Sequence, residues 1–139
     1  MSDRALLERL NRGPASGNAL AAEFGITRGA VWKRIESLRA AGIDVRASRE
    51  GYVLARPIEL LDREKIIAAL DPDASQHLAG LVVEFEIDST QSRALSAQTP
   101  AEGCAVWLAE QQSAGQGRRG RRWVSPLAAH LYLSLSRRF

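Results

Sequence analysis

Ser16-Gly17-Asn18-Ala19-Leu20-Ala21-Ala22-Glu23-Phe24-Gly25-Ile26-Thr27-Arg28-Gly29-Ala30-Val31-Trp32-Lys33-Arg34-Ile35-Glu36-Ser37-Leu38-Arg39-Ala40-Ala41-Gly42 is the stretch that decides how the first half of this chain folds. Ser16 can cap a helix, because its side-chain oxygen accepts one of the N–H groups that the first turn leaves without a partner. Leu20, Ala21 and Phe24 follow at helical spacing, and Gly25 sits where a left-handed residue ends a helix. Thr27 caps the next helix, which is predicted from Arg28 through Ala41 with Val31, Ile35 and Leu38 on one face. Gly42 stops it. Two helices joined by a tight glycine turn, the second of them basic, spell helix-turn-helix.

Outward from that stretch the pattern sharpens. Upstream, Ser2-Asp3 can cap a helix carrying Leu6, Leu7 and Leu10, and Gly13-Pro14 ends it. Downstream, Ile43-Asp44-Val45-Arg46 and Tyr52-Val53-Leu54 alternate on either side of Ser48-Arg49-Glu50-Gly51, a hairpin of wing size. Residues 1–60 therefore read as a winged helix-turn-helix domain, whose third helix enters the major groove while the wing reaches a neighbouring phosphate or groove. Arg28, Trp32 and Glu36 share a face away from Val31 and Ile35, with Lys33 beside them. The residues expected to meet DNA are Thr27, Arg28, Gly29, Trp32, Lys33 and Arg49. For any single arginine a solvated surface is the simpler reading; the order of helix, turn, helix and wing is what favours nucleic acid. Trp32 could meet sugar or a thymine methyl, or pack beneath the wing.

Charge agrees in direction. Residues 1–60 hold ten Arg and Lys against seven Asp and Glu, whereas residues 61–139 hold nine of each. A composition of 45% apolar and 25% charged residues is that of average soluble proteins, and it indicates neither a disordered tail nor a membrane span. Cys104 is the only cysteine, so no internal disulfide can form, and Met1-Ser2-Asp3-Arg4 lacks the long apolar run expected of a signal peptide. The expected location is the cytoplasm.

Arg56-Pro57-Ile58-Glu59 breaks the pattern and places a boundary near residue 60. Residues 61–80 read as a connector with a helix capped by Asp62, running to Leu70 and ended by Asp71-Pro72-Asp73. Residues 81–139 read as part of a second domain. Leu81 through Ile87 is a β-rich run that leads into Asp88-Ser89-Thr90-Gln91 and a helix through Gln98. Ala105-Val106-Trp107-Leu108-Ala109 reads as a buried strand, and Leu131 through Ser136 as a third. The fold class is α+β, and three strands with one helix make an incomplete core. Glu84 and Glu86 are expected to face solvent, Cys104 to be a small buried hydrophobe, and His77 and His130 to be lone histidines without metal-ligand spacing.

Gly115-Gln116-Gly117-Arg118-Arg119-Gly120-Arg121-Arg122-Trp123 packs four arginines and three glycines into nine residues. Glycines let backbone N–H groups come close to an anion, and guanidiniums offer forked donors that fit phosphate oxygens in pairs. Four like charges and three glycines make an empty loop costly to order, so a ligand is expected to order it.

The run from Ala109 to Trp123, with Ser125-Pro126 and Leu131-Tyr132-Leu133-Ser134 after it and Asp88-Ser89-Thr90 before it, resembles the biotin protein ligases. The bifunctional bacterial members also carry a winged helix as their repressor domain. The resemblance implies a biotin ligase and biotin operon repressor. Its second part would be the beginning of a class II synthetase-like α/β catalytic domain, which joins biotin and ATP into biotinyl-5'-AMP and passes biotin to a lysine of a biotin carboxyl carrier protein. It further implies that Ser89, Thr90 and Gln91 belong to the biotin site, that Gln112 bonds the polar head, and that Gly115 and Gly117 lie at the carboxylate end. Gln116 belongs to the adenylate clamp. By the same resemblance Arg118 would sit nearest the chemistry, neutralising carboxylate and phosphate; Arg119 and Arg121 would orient the loop or meet phosphates; and Trp123 would pack beside adenine. Mg²⁺ would accompany ATP, with no protein metal site, and the adenylate-loaded protein would dimerise and bind operator DNA.

Two departures from the family pattern stand out. Gln116 and Gln91 replace the arginine and asparagine common at those places, and no Lys-Trp-Pro-Asn-Asp segment occurs. The chain is accordingly expected to be the N-terminal portion of a ligase, with little or no activity alone. A winged-helix DNA-binding regulator without catalysis, or an inactive fragment, is the alternative.

Overall fold

The computed structural model describes residues 1–121 and 123–139; Arg122 of the Gly/Arg run lies outside the described residues. The chain divides into two compact units, Met1–Glu59 and Leu60–Phe139.

The first unit holds α1 (Asp3–Asn11), α2 (Gly17–Phe24) and α3 (Arg28–Ala40), followed by the hairpin β1 (Val45–Ser48) and β2 (Gly51–Leu54). Each helix begins on a hydroxyl: Ser2, Ser16 and Thr27 accept the N–H groups of Ala5, Ala19 and Ala30. Such a cap stabilises a helix by about 1 kcal/mol over alanine. Gly25 ends α2 in the left-handed region. The apolar stripes meet in one core, where Leu6, Leu7, Leu10, Leu20, Val31, Ile35 and Leu38 are sealed from solvent.

The wing starts two residues later than the alternation suggests. Ile43 is buried but donates its N–H to the Leu38 carbonyl, closing the end of α3, so it is unavailable to the ladder. Pairing runs from Val45 opposite Leu54 to Ser48 opposite Gly51, which leaves Arg49 and Glu50 at the tip. Ala15 adds a bridge that the sequence did not suggest, exchanging two backbone hydrogen bonds with Tyr52 at 3.0 and 2.9 Å. Gly51 is what permits it. At φ 122° a side chain there would run into the Ala15 carbonyl. Asn11 ties the end of the unit back to α1, bonding the Ile58 carbonyl and N–H at 2.7 and 2.9 Å.

The second unit contains α4 (Arg63–Ala69), α5 (Pro72–Gln76), β3 (Leu78–Ile87), α6 (Thr90–Ser96), β4 (Cys104–Gln112) and β5 (Tyr132–Arg137). The sheet order is β3-β4-β5, with β3 parallel and β5 antiparallel to β4. β3, α6 and β4 thus form a β-α-β unit. Residues 61–80 hold two helices rather than one and the first three residues of β3, which begins at Leu78 rather than Leu81. Asp71-Pro72-Asp73, expected to end a helix, starts α5, because Asp71 accepts the Ala74 N–H and Pro72 needs no partner at the first position. β4 also runs on through Glu110-Gln111-Gln112, since Glu86 and Ile87 of β3 are there to pair with Gln111 and Gln112.

β5 turns its serines, not its leucines, inward. Leu133 and Leu135 are 50% and 54% exposed, while Ser134 and Ser136 are half-buried and bond the α6 segment: Ser134 donates to Thr90 and Ser136 to Thr99. Cys104 is half-buried rather than fully enclosed, and Glu84 and Glu86 face solvent.

Candidate ligand pocket and nucleic-acid interface

Parallel pairing makes β3 and β4 end at the same edge of the sheet, and both candidate loops leave from there. Pairing continues past the strands, with Ser113 and Ala114 donating to the carbonyls of Ile87 and Asp88 at 2.9 and 2.8 Å. This brings Asp88-Ser89-Thr90 against Gln112, 22 residues away in sequence for Thr90. The Gln112 side-chain carbonyl accepts from the Thr90 N–H at 2.8 Å and from the Thr90 hydroxyl at 3.1 Å. Ser134 completes the chain by donating to the Thr90 hydroxyl at 2.9 Å. With its carbonyl committed, Gln112 keeps its amide N–H₂ for other partners.

Beside this cluster lies a cavity of about 280 Å³. Of the sequence-derived candidates, Ser89, Thr90, Gln91, Gln112, Gln116 and Trp123 line it. Gly115, Gly117, Arg118, Arg119 and Arg121 are not among its lining residues. Leu131, Tyr132, Leu133 and Ser134 also line it, and the residue-by-residue reading gave none of them a role. In the sequence the run Leu131-Tyr132-Leu133-Ser134 marks a strand and part of the resemblance, and its serine at an alternate place is the one signal of a polar inner face. Tyr132 is buried, donates to the Pro126 carbonyl at 2.9 Å, and burial pushes its phenol above the ordinary range.

Two glycines shape the Gly/Arg loop through contact. A side chain at Gly115 would sit 2.6 Å from the Trp123 ring and 3.2 Å from the Gln112 amide nitrogen. Gly117 donates to the Arg121 carbonyl at 3.2 Å across a short 3-10 turn, Arg118–Gly120, in which Arg119 adopts φ 59°. Arg118, Arg119 and Arg121 are exposed, and among the described residues none has a carboxylate partner. Their charge is free for an anion.

Two carboxylates flank the pocket strands with different tasks. Asp88 accepts from Arg93 at 2.9 Å and from the Ser89 N–H at 2.8 Å, and these bonds hold its carboxyl below the usual range. Glu110, buried on β4, accepts the N–H of Leu61, which fixes the segment before α4. Among the described residues no group of three or more His, Cys, Asp or Glu side chains could hold a metal ion. No helix among them is long and apolar enough to cross a membrane. His77 and His130 stay on the surface, His77 against the Asp73 carbonyl and His130 edge-on to Tyr132.

In the first unit the arginines sort into two groups. Arg4, Arg9, Arg34, Arg39 and Arg46 pair with Glu8, Glu23, Asp3, Glu36 and Asp44. Arg28, Lys33 and Arg49 have no such partner among the described residues, and all three are exposed, as are Thr27 and Gly29. The Arg28 stem and the Tyr52 ring converge at the start of α2, each 3.6 Å from where a Gly17 side chain would begin. The wing and the starts of α2 and α3 therefore meet beside an unpaired guanidinium. Trp32 is 54% exposed, so it is not core beneath the wing. Glu36, 42% exposed on the same side of α3, is bound to Arg39 at 2.6 Å.

The family model of the HTH domain matches residues 3–53. Three proteins called bifunctional ligase/repressor BirA are similar to the chain. Those of Salmonella typhimurium and Escherichia coli are 42% and 40% identical over 121 residues, and that of Bacillus subtilis is 36% identical over 124. The alignments cover 86% of this chain and 36–37% of those proteins, so the chain spans about a third of the length of the relatives it matches.

Proposed function

We propose, from the premise that this chain is a BirA-like N-terminal portion, that its first unit binds operator DNA and that its second unit holds part of a biotin and biotinyl-5'-AMP site. The observation that carries the first part is the set of unpaired cations Arg28, Lys33 and Arg49 on a helix-turn-helix unit. Thr27, Gly29 and Trp32 complete the proposed surface. Phosphate attraction would supply most of the affinity, and α3 in the major groove would supply sequence choice. Residues 1–60 would be the DNA-binding domain, 61–80 a connector, and 81–139 the incomplete beginning of a ligase domain.

The second part rests on the cavity bounded by Ser89, Thr90, Gln91, Gln112, Gln116 and Trp123. The neutral, cyclic-urea head of biotin needs both donors and acceptors, and hydroxyls with an amide supply them without charge. Gly115 and Gly117 would give the carboxylate end close backbone, Arg118 would neutralise carboxylate and phosphate during adenylation, and Arg119, Arg121 and Trp123 would hold the nucleotide. Mg²⁺ would come with the ATP phosphates, whose oxygens suit it, rather than on protein ligands. The biotin carboxyl carrier protein as acceptor, dimerisation on adenylate binding and a cytoplasmic location belong to the same reading.

Two measurements separate these parts. Fluorescence anisotropy of the chain with duplex DNA, repeated across salt, should show a slope of log affinity that falls by roughly one for each of Arg28→Ala, Lys33→Ala and Arg49→Ala. A slope unchanged in all three would remove the interface. Calorimetric titration with biotinyl-5'-AMP tests the pocket, and heat that is the same in the wild type and in Thr90→Val with Gln112→Ala would remove that assignment.

A further inference from the structure

Trp32 is the one large apolar side chain exposed on α3, at 54% of its surface. Among the described residues its indole makes no hydrogen bond and no ring contact, the aromatic pair being His130 with Tyr132 and the cation–ring contact Arg137 with Phe139. It stands one turn into the helix, between Val31, which is sealed in the core, and exposed Lys33. Leaving so much of a tryptophan in water forgoes burial that a polar residue at that place would not need.

We infer that Trp32 selects sequence by packing its indole against thymine methyl groups in the major groove. The inference rests on the DNA-binding reading and adds what that site recognises. Thymine is the base that presents an apolar group in the major groove, through its C5 methyl. The residues near the N-terminus of a recognition helix are those that reach base edges, and Trp32 is five residues past the Thr27 cap. Charge agrees with that occupant. Among the described residues Arg28 and Lys33 have no carboxylate partner, and the nearby Glu36, which would repel phosphates, is paired with Arg39. Arg28, Lys33 and Arg49 would then hold any duplex, while Trp32 would distinguish thymine-containing steps.

The experiment begins with selection of duplexes from a randomised pool by the 139-residue chain, followed by replacement of single thymines with deoxyuridine, which removes only the methyl group. In the wild type, at least one such replacement should weaken binding about three- to fivefold, the worth of one buried methyl. Trp32→Ala should bind the thymine duplex more weakly, show no further loss on replacement, and keep the salt slope of the wild type. Trp32→Phe should retain part of the methyl sensitivity. Wild-type affinity indifferent to every replacement would overturn the inference whether or not the variants fold. So would methyl sensitivity of equal size in Trp32→Ala. If the wild type enriches no duplex at all, the DNA-binding reading fails, and the inference falls with it; that outcome is distinct from binding that ignores methyl groups.

Discussion

Gln112 spends its side-chain carbonyl twice on Thr90, once on the N–H and once on the hydroxyl, so the end of β4 is pinned to the start of α6 through one oxygen. Thr90 is 4% exposed, and its hydroxyl also receives Ser134 from β5. Thr90→Val keeps the shape and the N–H bond to Gln112 but removes the second donor to that carbonyl and leaves the half-buried Ser134 hydroxyl without its acceptor. We expect a loss of about 1–3 kcal/mol in urea unfolding, and a smaller loss for Thr90→Ser. Equal midpoints for the two variants would show that the hydroxyl carries no weight.

Gly51 stands at φ 122° with the Ala15 carbonyl where a side chain would go. Gly51→Ala must break the Ala15–Tyr52 bridge or strain the backbone, at a cost on the order of 2–3 kcal/mol. Gly13 is also at positive φ, yet has open space around it. Gly13→Ala should therefore cost less, and thermal melts that rank the two in the opposite order would contradict this account.

Asp88 is held below its ordinary value of 3.8 first by the bond from Arg93. A carboxyl whose folded value is depressed adds stability above its unfolded value and loses it as pH falls through the folded one, here below about pH 4. Arg93→Gln should raise the Asp88 midpoint toward the ordinary value in a carbon-detected NMR titration and flatten the acid limb of stability. An unmoved midpoint argues against Arg93 as the cause.

Gly115 and Gly117 differ in what a methyl would strike. At Gly115 it meets the half-exposed Trp123 ring at 2.6 Å, and at Gly117 the Arg121 carbonyl at 2.5 Å. A ring at the surface can swing away, whereas backbone must be rebuilt. We expect Gly115→Ala to shift tryptophan emission with less than about 0.5 kcal/mol of lost stability, and Gly117→Ala to open the turn that Gly117 and Arg121 close. Unchanged emission in Gly115→Ala would place the ring elsewhere.

Gln116 lines the cavity where the resemblance leads one to expect a guanidinium. Gln116→Arg should slow biotinyl-5'-AMP dissociation by roughly tenfold, the scale of one charge-assisted hydrogen bond. Equal stopped-flow rates for the two proteins would remove Gln116 from the clamp.

Local signals made the first unit readable. Ser16, Gly25, Thr27 and Gly42 are punctuation whose effect is exerted within a turn, and Leu6 through Leu38 follow one helical period. What escaped were pairings between distant segments. Ala15 gives no sign in its own neighbourhood that it will meet Tyr52, and Ile43 leaves the wing because α3 needs its N–H. In the second unit the loop residues stood out by type, whereas Tyr132 and Ser134 entered the cavity only through the antiparallel register of β5 on β4. Glu110 lies one residue past the apolar run Ala105–Ala109 and is nevertheless a buried strand residue, since the extension of β4 depends on the length of β3.

The serines of β5 also act as a registration key. By apolar pattern alone, a slip of one residue along β4 would turn Leu133 and Leu135 toward α6 and send Ser134 and Ser136 out to water. Burial of the two leucines would favour that misreading of the strand, against the loss of Tyr132, which shares the serines' face and is 5% exposed. The hydroxyl bonds from Ser134 to Thr90 and from Ser136 to Thr99 oppose it. The polar groups that give the cavity its character thus also tell the strand which way up to lie, and a change that made the cavity greasier would loosen the grammar of the sheet.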